Sequence, residues 1–287
     1  MRSISWRDWY YLTKPGIVYG NGIHFIAGFL LASRGGVELL PGVYGLVGTS
    51  LLIASACVVN NYFDRDIDAR MKRTRKRPSV TGKIPVRYGA MYAAFLLLAA
   101  VAVLAASGQW LVLTLGLVAY VLYTLVYTYS KRVTVHSTLI GSIPGAIPAM
   151  AGFVVPTGAL STSAWLVFLA ITAWQMPHFY AISLFRRKEY KEASLPVMGV
   201  VASLRTVQIH MVVWCVLYVA AIAALLVAGV YAPFCGIIML GASGYWLITI
   251  LGGFGKENTE KWARKVFGQS LLLTLLFSVV ALINVYL

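Results

Sequence analysis

Asn60, Asp64 and Asp68 stand four residues apart, at the end of the apolar run 42–59 and at the opening of the most basic stretch of the chain, 70–83. On a helix each step of four turns about 400° and rises about 6 Å, so the three oxygen-bearing side chains share a face. Mg²⁺ takes one or two protein carboxylates and completes its shell with waters and substrate phosphate oxygens. A helix that leaves a membrane with such a face, followed by Lys72, Arg73, Arg75, Lys76 and Arg77, can hold Mg²⁺ against a diphosphate. The cations would take the phosphate oxygens that the metal leaves free. The bland alternatives are a solvated helix end whose acids offset nearby bases, and a basic run that sets topology and meets anionic lipid headgroups. Asp66 points to another face and is the expected bystander.

Two further constellations carry chemistry. Tyr127 and Lys131 are again four apart, with Arg132 beside them; the alternative is an aromatic-belt tyrosine with a topology-setting pair. The third is Trp174-Gln175-Met176-Pro177-His178-Phe179-Tyr180, followed by Arg186, Arg187, Lys188, Glu189 and Tyr190. A histidine inside a spanning segment is a functional candidate by default. Neutral imidazole ligates iron or accepts a proton. The alternative is a histidine hydrogen-bonded between helices. His24, His136 and His210 rank below it.

These residues need a scaffold, and composition names its class. The chain has 287 residues, 60% hydrophobic and only 11% charged, which places it among all-α, multispanning membrane proteins. Nine spans of about 20 residues are predicted, over 16–33, 42–63, 87–107, 109–129, 137–157, 163–185, 206–228, 233–252 and 265–286, as one domain over 1–287. Pro144 and Pro148 predict a kink in the fifth span. Residues 1–15 lack the apolar core of a signal peptide. Cys57, Cys215 and Cys235 have no spacing for zinc, a haem-attachment motif or a disulfide framework.

With nine spans, 23 of the 24 Lys and Arg fall on the side of the N-terminus, and only Arg34 on the other. Positive residues stay cytoplasmic, so a cytoplasmic N-terminus and an external C-terminus are expected. This asymmetry accounts for the net charge of +15 without nucleic acid. The long loops 64–86 and 186–205 both fall on the charged side, four helices apart, and predict two similar halves facing one site.

Thr13-Lys14-Pro15-Gly16 with Asn21, the stretch 60–68, Arg73-Thr74, Arg77-Pro78, Lys131-Arg132, Gly141-Ser142 with Gly145, the Trp-Gln-Met-Pro-His-Phe run and Trp262-Ala263-Arg264-Lys265 together resemble the intramembrane prenyltransferases of the UbiA superfamily. The resemblance covers nearly the whole chain. The aspartate motif is common to the superfamily; the run at 174–179 is similar to the branch that farnesylates haem. Relatives that prenylate quinone precursors carry a second Asp-rich motif after the sixth helix. Here that region has no Asp, and Glu189 stands nearest.

The resemblance implies a cavity among nine helices under a cytoplasmic cap, and transfer of a farnesyl group from farnesyl diphosphate to a vinyl group of haem B, with Mg²⁺ as cofactor. It implies Mg²⁺ ligation by Asn60, Asp64 and Asp68, and catalytic roles for these with Lys131 and His178. Substrate contacts are implied for Lys14, Asn21, Arg73, Arg77, Tyr127, Arg132, Arg186 and Glu189. His178 lies eight residues before Arg186, roughly 12 Å deeper, which suits a flat macrocycle better than a diphosphate. The location implied is a bacterial cytoplasmic membrane, with haem A synthase or terminal oxidase assembly as partners. The alternatives are a prenyltransferase for an aromatic or quinone precursor, a non-catalytic haem-binding assembly protein, and a transporter. A transporter would carry polar residues through the bilayer midplane, whereas these motifs cluster at one face.

Overall fold

The computed structural model describes residues 4–255 and 259–287. Arg2 and Lys256, both counted in the charge asymmetry, lie outside the described residues. In chain order the helices are α1 (Trp6–Leu12), α2 (Pro15–Ala32), α3 (Leu39–Phe63), α4 (Arg65–Arg70), α5 (Val86–Ala106) and α6 (Trp110–Val121). A π-helical turn, Leu122–Tyr127, joins α6 to α7 (Thr128–Val133). Beyond these lie α8 (Ser137–Thr157), α9 (Thr162–Phe185), α10 (Arg187–Glu192), α11 (Met198–Val201), α12 (Leu204–Val227), α13 (Pro233–Leu251) and α14 (Thr259–Asn284). Among the described residues nine segments are long and apolar enough to cross a bilayer, counting Trp110–Val133 as one. The described residues contain no strand, as expected where every backbone group must be satisfied within lipid.

Several spans begin on local signals. Pro15 and Pro233 occupy the first helical position, where a missing N–H costs nothing. Ser161 and Ser203 accept the N–H groups of Ala164 and Thr206, satisfying donors that a helix start leaves orphaned. Pro144, Pro148, Pro156 and Pro177 lie inside continuous helices.

The first and fifth spans, α2 and α8, approach so closely that glycine is required at the crossing. A Cβ on Gly28 would stand 2.0 Å from the carbonyl oxygen of Ala149, and one on Gly152 would stand 2.0 Å from that of Phe25. Small residues let membrane helices meet backbone to backbone. The two expected halves thus join at their first helices.

The sequence reading differs from the structure in three places. Residues 6–12, outside every predicted span, form α1, whose Leu12 is fully buried against Val58 and Ile84. Helix α14 begins at Thr259 rather than 265. Its first turns are polar and lie outside the apolar window that marked the span, but the i,i+4 pair of Glu260 with Arg264 supports them. The fourth span runs to Val133 through the π turn, so Lys131 is helical rather than in a loop.

The long loops meet. Ile67 and Met71 of the first pack with Ala193, Leu195 and Val197 of the second. At the far end of the bundle, Arg34 donates to the carbonyls of Gly229 and Leu287.

Candidate active site

A cavity of about 720 Å³ runs among the helices, lined mainly by apolar side chains. Towards the charged end it meets Tyr127, Lys131 and Tyr190; deeper, it meets His24, Trp174 and His178.

The aspartate face spans a helix break. Helix α3 ends at Phe63, and Asp64 caps both α3 and α4. The i,i+4 spacing survives, because the Asp64 N–H donates to the Asn60 carbonyl and the Asp68 N–H to the Asp64 carbonyl. Asn60, Asp64 and Asp68 are all buried, at 1%, 5% and 5% exposure.

Each meets a cation from a different segment. Lys14 donates to Asn60 Oδ1, Lys131 to Asp64 Oδ2, and Arg77 to Asp68 Oδ2 at 2.5 Å. Lys14 reaches Asn60 from a left-handed backbone conformation, φ 53°, which a side chain with a Cβ rarely adopts. Burial foremost, then repulsion from Arg77 and Lys131, brings the Lys14 amine down to about 8. Asn60 Nδ2 donates to Thr128 Oγ1, and Thr128 bonds the carbonyl of Tyr123. This pins the π turn to α3. A π turn shifts the angular register of the helix beyond it by about one residue, or 100°. Lys131 is reached through that turn rather than by regular α spacing, and its ammonium also stands 5.4 Å from the Tyr127 ring centroid.

Asp66 is half exposed and takes two bonds from Arg132, at 2.7 and 2.8 Å. The Arg132 hydrogen bond lowers the Asp66 carboxyl to about 2. Arg132 also donates to the Phe63 carbonyl, so it ties the first loop to α3 at the surface. Arg186 pairs with Glu189 at 3.4 Å. Partial desolvation foremost, followed by repulsion from Arg77 and Arg186, lowers Arg73; guanidiniums of both loops therefore converge near the aspartates. Asn21 lines the cavity and donates to the Ile17 carbonyl.

The residues fit a Mg²⁺ ion shared with a phosphate. Asp64 Oδ1 is buried with no hydrogen-bond partner, the nearest guanidinium being Arg132 at 4.0 Å. Among the described residues no group of three His, Cys, Asp or Glu gathers as a closed metal site. An ion held here would need ligands from outside the protein, as Mg²⁺ normally takes.

His178 is buried on α9, its ring stacked on Trp174 at 4.9 Å, and its Nδ1 is 2.7 Å from Ser270 Oγ on α14. Sequence reasoning passed over Thr128 and Ser270, which no spacing pattern marks, and gave Asn61 of the 60–68 motif no role of its own, although it accepts from Arg77. His24, ranked low from sequence, lines the same cavity, and its Nε2 is buried without a partner.

The model of the UbiA prenyltransferase family matches residues 22–279. Protoheme IX farnesyltransferase of Photorhabdus laumondii is 39% identical over 273 residues, covering 94% of this chain and 90% of that protein. The Salmonella choleraesuis protein of the same name is 39% identical over 271 residues, covering 94% and 91%. Among solved structures, one of digeranylgeranylglyceryl phosphate synthase superposes with a TM-score of 0.80 at 14% identity, covering 97% and 98% of the two chains. A UbiA homologue from Archaeoglobus fulgidus bound to GPP and Mg²⁺ gives 0.75 at 15%, covering 97% and 99%.

Proposed function

The chain belongs to the UbiA prenyltransferase family, and on that premise we propose that it transfers a farnesyl group from farnesyl diphosphate to a vinyl carbon of haem B, giving haem O. The observation that carries the reading is a cavity whose apolar interior holds histidines beside Trp174 and whose charged end is lined by Lys131, which joins it to the neighbouring acid–cation cluster through Asp64. The 39% identity to protoheme IX farnesyltransferases supports haem over a quinone precursor as acceptor.

Asn60, Asp64 and Asp68 would hold Mg²⁺, which when bound supplies charge stabilisation to the departing diphosphate. Diphosphate would give Lys14, Lys131 and Arg77 a second set of oxygens, so the cations that bond Asn60, Asp64 and Asp68 would also meet the leaving group. Arg73 and Arg186 add donors from the two loops. The allylic C–O bond breaks, its electron pair leaving with the diphosphate. The vinyl π electrons of haem attack the farnesyl carbon, and water adds to the resulting cation with loss of one proton, completing the hydroxyethylfarnesyl group. The apolar walls exclude water from the first cation. His178 serves haem rather than diphosphate.

The asymmetry of Lys and Arg supports a cytoplasmic site, a cytoplasmic N-terminus and an external C-terminus in a bacterial cell membrane. A farnesylated macrocycle remains in the bilayer, so its recipient is expected there, as haem A synthase or a terminal oxidase assembly factor. Purified protein incubated with haem B, farnesyl diphosphate and Mg²⁺ should yield haem O by mass spectrometry. Haem binding without product, or prenylation of an aromatic acid in preference to haem, would overturn the assignment.

A further inference from the structure

His178 and Trp174 lie one turn apart on α9, and a single residue of α14 holds both. Trp174 Nε1 donates to the main-chain carbonyl of Ser270 at 3.1 Å. His178 Nδ1 lies 2.7 Å from the Ser270 hydroxyl. That hydroxyl is 2.6 Å from the carbonyl oxygen of Phe267. A carbonyl only accepts, and a hydroxyl owns one proton. Two oxygens at that separation repel unless the proton lies between them, so the Ser270 proton goes to Phe267. Its lone pairs then face His178, and Nδ1 must be the donor. A neutral imidazole has one donor and one acceptor nitrogen, which leaves the lone pair on Nε2. No described protein group bonds Nε2, and His178 lines the cavity. Trp174 stacks on the ring at 4.9 Å, Phe267 lies at 4.9 Å and Phe179 at 5.0 Å, so the ring cannot easily turn over.

We propose that Ser270 is a positioning residue: it fixes His178 as the Nδ1–H tautomer and presents the Nε2 lone pair to the iron of haem in the cavity. The inference rests on reading this cavity as the haem site. Iron-ligating imidazoles characteristically donate their other N–H to a hydrogen-bond partner, which orients the ring and raises its basicity. A serine hydroxyl whose own proton is engaged elsewhere is such a partner.

Ser270→Ala removes the hydroxyl and keeps the main-chain bond to Trp174. With purified protein and haem B, the Kd for haem should rise about 10- to 100-fold. The iron–histidine band in the resonance Raman spectrum of the ferrous complex should shift or vanish. Farnesyl diphosphate affinity should not change. Ser270→Thr, which keeps the hydroxyl, should restore the band. Should Ser270→Ala fail to fold, Ser270→Cys, close in volume and a weaker acceptor, carries the same expectation for the band. An unmoved band in a folded variant overturns the role of Ser270, even if the thermal midpoint has fallen. If His178→Ala also leaves the haem spectrum unchanged, the reading of the cavity itself fails.

Discussion

Lys131 donates a hydrogen bond from its ammonium to Asp64 Oδ2, while the other oxygen of that carboxylate stays buried without a hydrogen bond. Half of the carboxylate is neutralised from within the protein, and half is free for an incoming cation. The pair joins residues 67 positions apart, through a π turn that Thr128 and Asn60 hold in place.

Substituting either acid should cut turnover sharply while the protein still inserts and folds. Asp64→Ala and Asp68→Ala are each expected to lower kcat at least about 100-fold, on the scale of a lost charge-stabilising group. Asp66→Ala, which loses only a surface pair with Arg132, should act mildly. Near wild-type turnover of Asp64→Ala at limiting Mg²⁺ would remove Asp64 from the metal site.

Lys131→Met leaves a buried carboxylate without its counter-charge. Breaking one side of a buried pair costs about 3–5 kcal/mol, so the thermal midpoint in detergent should drop. Adding Asp64→Asn should recover most of the midpoint without recovering activity. An unchanged midpoint in Lys131→Met would show that the pair contributes nothing in the substrate-free protein.

In a variant lacking Cys57, Cys215 and Cys235, single cysteines at Thr81 and Leu287 should be labelled from opposite sides of the membrane. Both side chains are exposed. Labelling of the two from one side would refute the odd number of spans.

The α2–α8 crossing has no room for a side chain. Gly28→Val or Gly152→Val drives Cβ into a backbone oxygen 2.0 Å away. The helices must separate, and overpacking of this kind costs about 1–3 kcal/mol or more. Monodispersity and thermal midpoint should both fall in either variant; a wild-type midpoint in both would mean that the two halves do not meet at these glycines.

Spans were legible because each is an apolar run of bilayer length, and the charge asymmetry supported their number. Helix α1 was not: seven residues carry too little periodicity, and its support comes from afar, through Lys83 on Asp8 at 2.7 Å and Tyr92 against Trp9. The common face of Asn60, Asp64 and Asp68 was legible from spacing. That each would meet a cation of its own was not, since Lys14 is 46 residues from Asn60 and pairing over such distances leaves no periodic trace. Ser270 was silent for the same reason. A serine in an apolar helix differs little from any other until the residue across from it is known.

The small apolar joint between the two loops has a kinetic consequence. Ile67 and Met71 cannot leave Leu195 and Val197 without wetting all four, at about 25 cal/mol for each Å² exposed. Any opening of the loops would therefore be cooperative rather than that of two independent flaps. A substitution at Leu195 should then alter how fast diphosphate departs from beside Asp68, although the two residues lie on opposite halves of the chain.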